Sequence, residues 1–447
     1  MTKRLDLGKE AILPLILKMS WPSIISMTAM SLYNFIDTFW LARFSSQALA
    51  ALTVCFPLQL IAAAIGVGTG IGAGSFSARM LGAGKNLQAK QAAGQTFSLS
   101  MFLGFISIIF VFMFGEEMLI FFGASGDIMP LCRDYLYNSV FSSPFLFFSM
   151  TTAIMLRVEG RPLLSMYVVV IALVSSAILD PFLIFGLGPF PRMGIKGAAL
   201  AAIIAHCMMF IFSLIFLQMK SSKYEFQWKY TVPHLEIIKA IYSTGFPSMV
   251  TNFIISIVLI IYNHVLAAFG FQAIAAFGIC FRVNGLATMV LFGIGAGLMP
   301  IVGFNAGARL FHRLRESVSV ALATSTIFAV ASVIILELFS FEIVELFSSD
   351  PHLQAIAVPA LRIQVLALLF AAPIIVYVNM FLGLGKGMLA MFILFLRDIV
   401  VFVPLLITLP YFFGLTGAWM ASPLASVIEL FLVIYWAKRE LRKIESS

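Results

Sequence analysis

The sequence predicts an all-α polytopic membrane protein, with twelve transmembrane helices in two six-helix bundles related as a pseudo-two-fold parallel repeat. Three observations lead there. Of 447 residues, 61% are hydrophobic and only 11% are charged, against about 25% charged in soluble domains. Apolar runs of about 20 residues recur from end to end, each long enough to cross a bilayer core as a helix. The chain also repeats itself at a separation of 225 residues. No soluble catalytic domain fits between the runs, and the short loops offer no cluster of catalytic His, Asp or Arg groups, so an enzyme is not expected.

The runs are centred near residues 25, 62, 103, 145, 174, 206, 253, 289, 328, 368, 399 and 427. They are continuously apolar and lack the period-two alternation of a barrel strand, so each reads as a helix. The first is long, and its flank "MTKRLDLGKE" is not followed by a short apolar region with a small-residue cleavage site, which predicts an uncleaved first span. The second carries "IGVGTGIGAG", with glycine at every second position, and the eighth partly repeats it as "FGIGAGLMP". No Lys-Ser/Thr follows and no strand precedes, so these are not phosphate loops. Small residues let helix backbones approach closely, and both stretches are expected to be close-packed, bendable helices lining a cleft between the bundles. Prolines including Pro22, Pro57, Pro181, Pro247, Pro300 and Pro373 fall in or near spans and permit kinks; Pro22 is placed where a bend could move Asp37. Cys55, Cys132, Cys207 and Cys280 lie singly within spans and read as packing residues, not as a disulfide framework or a metal site.

Charge gives the expected orientation. Lys3, Arg4 and Lys9 precede the first span, and Lys or Arg residues cluster after the second, fourth, sixth, eighth and tenth spans, Lys220 among them, and at the C-terminus. The alternate loops hold mainly Glu116, Glu117, Asp127, Glu342, Glu345 and Asp350, with Arg43, Arg192 and Lys196 as exceptions. The positive-inside rule then places both termini in the cytoplasm. The net charge of +8 is spread over these loops and forms no single patch, so it reports topology and not a nucleic-acid partner.

The repeat defines the domains. Pro22 pairs with Pro247, Phe56 with Phe281, and Gly68, Gly70, Gly72, Gly82 and Ala83 with Gly293, Gly295, Gly297, Gly307 and Ala308. "EGR" at 159–161 pairs with "LGK" at 384–386, and "GIKGAA" at 194–199 with "GLTGAW" at 414–419. Six spans per half mean that both halves enter the membrane from the same side. The expected division is an N-terminal bundle at 1–220, a cytoplasmic linker at 221–236 and a C-terminal bundle at 237–447. Two similar bundles that rock about a central site suit a transporter better than a passive channel.

Charged groups inside the spans supply the chemistry. A carboxylate in hydrocarbon costs at least ~2.5 kcal/mol, so Asp37 in "SLYNFIDTFWLA" needs a reason to be there. Met30, Tyr33 and Asn34 lie seven, four and three residues before it and form a polar stripe on its helix. Asp180, in "SSAILDPFLIFG", has Ser176 one turn before it, and both aspartates are expected in the outer half of the same bundle. Desolvation there favours the neutral form of a carboxyl, which can then take up and release a proton as access alternates. The coupling residues read from the sequence are therefore Asp37, Asp180, Asn34 and Ser176. Met30, Tyr33, Tyr137, Asn138, Tyr262 and Arg282 are the candidates for substrate contact or gating. Tyr262 stands 225 residues after Asp37 and carries no charge at neutral pH, so coupling is expected in one half only. Arg397, Asp398 and Glu429 are further charges in the second bundle; Arg397 and Asp398 are consecutive and expected to point in different directions, so that they are not a self-contained ion pair, and structural pairing is expected for these charges. His206 is expected to be packed structure.

The stretches "WPSIISMTAMSLYNFIDTFWLARFSSQALAAL", "LRVEGRP", "LDPFLIFGLG", "GIKGAALA" and "GLMPIVGFNAGAR" together resemble the multidrug and toxic compound extrusion (MATE) family of efflux transporters. The resemblance covers nearly the whole chain. It implies a prokaryotic plasma-membrane protein, expected to be a monomer, that exports organic cations and amphipathic compounds in exchange for H+ or Na+, with no other cofactor. It also implies that Asp37 and Asp180 match the family's cation site. The seventh and tenth spans lack the carboxylates of the NorM-type branch, which points to the DinF-type branch. Ser176 stands where relatives have Asn, and Ala202 where they often have a hydroxyl; a Na+ ion at Asp37 and Asp180 would want those oxygens, so H+ is favoured. Na+ coupling and a flippase of a lipid-linked precursor are the alternatives.

Overall fold

The computed structural model describes residues 4–219, 222–224 and 227–445. Lys3, Lys220 and the start of the expected linker at Ser221 lie outside them. The described residues form helices and no strands. The principal helices are α1 (Ile12–Phe44), α2 (Ser46–Gly82), α3 (Asn86–Phe121), α4 (Met129–Ser139), α5 (Ser143–Val158), α6 (Pro162–Phe185) and α7 (Ile195–Leu217) in the first half. The second half follows with α8 (Leu235–Ala267), α9 (Phe271–Gly307), α10 (Phe311–Leu338), α11 (Ser340–Glu345), α12 (Pro351–Val365), α13 (Ala367–Gly383), α14 (Gly387–Phe395) and α15 (Val403–Glu445). A π-helical segment, Leu396–Phe402, joins α14 to α15.

Among the described residues eleven stretches are long and apolar enough to cross a membrane, and the last of them, Gly387–Lys443, runs for 57 residues. It is broken at Gly414, whose φ of 56° and ψ of −143° are not helical, so it supplies two spans and the total is twelve. Gly194 opens α7 with nearly the same torsions, φ 57° and ψ −129°. Glycine is required at both because a Cβ disfavours positive φ. In each case a second glycine follows three residues on: a Cβ at Gly197 would lie 2.4 Å from Leu183 O, and one at Gly417 would lie 2.4 Å from Leu409 O. The repeat read in "GIKGAA" and "GLTGAW" is thus a repeated backbone turn.

Packing divides the chain into two units, one of Met1–Asp6 and Ile25–Met249, the other of Leu7–Ile24 and Val250–Ser447. These bounds differ from those expected at 1–220, 221–236 and 237–447. The N-terminal part of α1 belongs to the second unit, and the described connector with the first part of α8 belongs to the first. The glycines of α2 and α9 give the reason. In the first unit, a Cβ at Gly72 would stand 2.2 Å from Ile241 O and 2.9 Å from Gly245 N of α8, and one at Gly68 would meet Met249. In the second, Gly297 and Gly293 meet Ser20 and Ile24 of α1 in the same way. Ser20 and Ile24 are the counterparts, 225 residues earlier, of Gly245 and Met249.

The connector is held to the first unit by the turn between α5 and α6. Glu159 is buried there; its carboxylate accepts from the Lys223 N–H and from Ser222 Oγ at 3.4 Å. Arg4 Nε donates to Glu159 O and Leu5 N to Gly160 O, both at 2.9 Å. Burial pushes the Glu159 carboxyl up from its ordinary range, against the lowering effect of the Lys223 N–H, Arg161 and Arg4.

Two predictions follow from this packing. Gly72→Ala drives a methyl into the α8 backbone and should destabilise the protein by about 1–3 kcal/mol, read as a lower thermal midpoint in detergent, whereas Gly278→Ala, with open space around it, should not lower it. Because Glu159 binds a proton more readily folded than unfolded, its contribution is most favourable at low pH. That contribution declines as pH rises from the ordinary carboxyl range through the raised folded value, so Glu159→Gln should flatten the fall of the thermal midpoint over that window.

Candidate functional site

α1 and α6, both in the first unit at this point, bring Asp37 and Asp180 to one hydroxyl. Ser176 Oγ lies 3.0 Å from Asp37 Oδ1 and 2.9 Å from Asp180 Oδ2. Ser176 and Asp180 are four residues apart on α6, which stacks them on one helix face. All three are removed from solvent, with Asp180 and Ser176 at 0% exposure and Asp37 at 5%. The two carboxyls are within hydrogen-bonding reach of each other, and among the described residues no Lys or Arg stands against either. Asp180 Oδ1 has no hydrogen-bond partner there. A hydroxyl has one hydrogen, so Ser176 can donate to only one aspartate at a time.

In front of this cluster is a cavity of about 330 Å³, lined by α1 to α7 of the first unit. Tyr33 connects the two. It lines the cavity, comes within hydrogen-bonding reach of Ser176, and sets its ring 5.9 Å from that of His206. Met30 and Asn34 line the same cavity, so the stripe read on α1 faces it; Asn34 Nδ2 also donates to Met30 O at 3.1 Å. His206, expected to be packed structure, lies on the wall, and its Nδ1 has no hydrogen-bond partner among the described residues. The remaining lining is mostly Ala, Leu, Ile, Met and Phe, and it includes no Lys, Arg, Asp or Glu.

Among the lining residues not singled out from the sequence are Gln59 and Tyr135, whose amide and hydroxyl are hydrogen-bonded. Gln59 was the readable signal, an amide in the apolar run "CFPLQLIAAA". Tyr135 gave none by itself, since its role comes from facing Gln59 across 76 positions.

Other candidates are elsewhere. Tyr137 packs edge-on against Phe112 with centroids 5.2 Å apart, and Asn138 donates to Asp134 O within its own helix; neither lines the cavity. Tyr262 is buried in the core of the second unit, where it donates to Ala418 O at 3.0 Å and accepts from Gln364 at 3.0 Å. Its hydroxyl is satisfied and acts as a structural tie. Arg282 is exposed on α9. Arg397 and Asp398 reach each other although consecutive, with Nη1 and Oδ1 2.6 Å apart, and Glu429 joins them at 3.6 Å, so the pair is not self-contained. They lie in the π-helical segment, whose wider turn changes the angle between consecutive side chains.

The profile of the MatE family matches residues 22–182 and again residues 247–408. The chain belongs to the MATE family. The double match also reproduces the internal repeat. The multidrug export protein MepA of Staphylococcus haemolyticus is 25% identical over 429 residues, covering 96% of this chain and 93% of that protein. A FAD transporter of Shewanella oneidensis is 27% identical over 442 residues, covering 97% and 96%. Among solved structures, a multidrug resistance MATE family transporter in an outward-facing conformation superposes with a TM-score of 0.94 at 23% identity over 100% of both chains. A MOP superfamily transporter from Pyrococcus furiosus superposes with a TM-score of 0.92 at 24% identity, also over 100% of both. This MATE chain is thus a multi-pass membrane transporter of twelve spans in two bundles; relatives of the DinF and NorM types are not separated by these matches.

Ser176→Ala should lower transport by this MATE protein about tenfold, the equivalent of one hydrogen bond to a charged group. Tyr137→Phe, outside the cavity, should leave the rate within about twofold. Both are read as accumulation of a fluorescent organic cation in everted vesicles at matched protein level.

Proposed function

We propose that the protein exports organic cations and amphipathic drugs by H+-coupled antiport across the plasma membrane of a prokaryote, with both termini cytoplasmic, and that the coupling proton resides on Asp37 and Asp180. The observation that carries the reading is a buried pair of carboxyls with one hydroxyl between them and no basic side chain against them among the described residues. Two negative charges that close repel each other and need a proton or a small cation. Na+ favours several oxygen ligands. Here Ser176 supplies one, Ala202 supplies none, and the Asn34 amide is turned to its own helix, so the donor set suits a proton better.

Antiport follows from the place of Tyr33. With both carboxyls ionised, the cluster presents negative charge behind Tyr33 and favours a cation in the cavity. A proton shared by the pair removes that attraction, and the drug leaves on the side where the proton entered. The drug and the proton therefore need not touch the same atoms to exclude each other. A cavity wall of Met, Phe, Tyr, Gln and His accepts varied apolar cations, since thioethers and rings adapt to shape. An anionic lipid-linked substrate is disfavoured because that wall has no Lys or Arg. The DinF-type assignment rests on the same first-unit site.

The test is uphill movement of a fluorescent organic cation in proteoliposomes under an imposed H+ or Na+ gradient. A pH gradient alone should drive transport, and Asp37→Asn and Asp180→Asn should each abolish it, with a loss of at least about 100-fold. Drug movement driven by a Na+ gradient at fixed pH would overturn the choice of ion, and coupled transport unchanged in both variants would overturn the site.

A further inference from the structure

The second unit contains a buried charge cluster that the first-unit mechanism does not use. Its centre is Arg397. The guanidinium pairs through Nη1 with Asp398 at 2.6 Å, lies 3.6 Å through Nε from Glu429 Oε2, and points Nη2 at Ser426 Oγ at 3.4 Å. Asp398 and Glu429 are each 3% exposed. One positive charge faces two negative ones, so the cluster is left with one excess negative charge when all three groups are ionised. Arg397 and Asp398 are the charged groups acting on Glu429 among the described residues.

The two carboxylates are not equivalent. Asp398 holds the close contact to the guanidinium, whereas Glu429 holds the long one, and its Oε1 is buried with no hydrogen-bond partner among the described residues. An ionised carboxylate with an unsatisfied buried oxygen is unfavourable, and a proton on that oxygen removes the excess charge. π-helical turns such as Leu396–Phe402 occur often at functional sites. This one sets the guanidinium 5.8 Å from the ring of Phe402, which in turn packs edge-on against Tyr262 at 5.5 Å. Tyr262 ties α8 to α12 and α15 through Gln364 and Ala418. A change of charge at Glu429 therefore acts on Arg397, the guanidinium that stands beside Phe402 and, through it, next to Tyr262.

We propose that Glu429 is a proton-binding site of the second unit, exchanging its proton with the medium during transport beside a permanently paired Arg397 and Asp398. In the step, an O–H bond at Glu429 Oε1 breaks, the proton leaves to water, and the electron pair stays as carboxylate facing the guanidinium. No other group changes state.

The test is infrared difference spectroscopy of the purified protein in nanodiscs titrated with acid and base, which sees the protonated carboxyl directly. Wild type should show a carboxylic C=O band that comes and goes with pH, lost in Glu429→Gln, kept at a shifted position in Glu429→Asp, and kept in the Asp37→Asn/Asp180→Asn double variant. Spectra from which Glu429→Gln removes no band, or a Glu429 band that is constant with pH, would overturn the proposal; the latter would mean a permanently neutral structural group. If Glu429→Gln does not fold, Glu429→Asp carries the test, and a band unmoved by it would equally overturn the assignment. The spectra are taken without drug or gradient, so failure of the first-unit coupling scheme would leave this outcome intact, and the reverse.

Discussion

Close backbone contact at glycine is the constraint on which both units depend. Between lipid-embedded helices there is little hydrophobic force, because the lipid is as apolar as the side chains, and association relies on tight packing. Gly68 and Gly72 let α2 lie against the backbone of α8, and Gly293 and Gly297 let α9 lie against that of α1. Each contact has carbonyl or amide atoms of the partner helix where a side chain would be. The consequence is that α1 and α8 are each divided, one part in each unit, at residues 24 and 249. Pro22 and Pro247 lie within a few residues of these divisions, where a missing backbone hydrogen bond permits a bend.

Within this common framework the two halves treat charge differently. The first unit places two carboxyls about one hydroxyl and puts in front of them a largely apolar cavity with a few polar side chains on its wall. The second unit has a phenol at the position of Asp37, fully used in tying helices, and moves its charges to a π-helical turn and α15. The difference is chemical as well as positional. A carboxyl pair without a basic partner must be neutralised from outside the protein, whereas a guanidinium neutralises one of the two carboxylates of its cluster from within. Duplication preserved the packing contacts, which backbone geometry fixes, and left the intramembrane charges free to diverge.

Some of the site was legible because burying a charge is costly enough to be noticed in any apolar run. Asp37, Asp180 and the stripe of Met30, Tyr33 and Asn34 were visible on that ground, since helical spacing already says which side chains share a face. Gln59 and Tyr135 were not, because each is an ordinary residue until the other is brought opposite it. Tyr137 and Asn138 looked like Tyr33 and Asn34 in composition, yet their helix turns them toward Phe112 and Asp134. Consecutive residues point apart on a helix of 3.6 residues per turn, and the direct contact of Arg397 with Asp398 is made in a π-helical segment that departs from that turn.

The sequence by itself determined the class, the number of spans, the repeat and the presence of costly intramembrane carboxyls. Hydrocarbon forces these features locally, because every backbone group must be satisfied within its own helix and each charge must earn its place. Only the tertiary structure decided which helix halves belong to which unit, that one serine serves two aspartates 143 positions apart in the chain, and that the phenol at 262 is a tie. Those outcomes depend on contacts between helices, and such contacts are set by small gaps and close approaches that no single helix records.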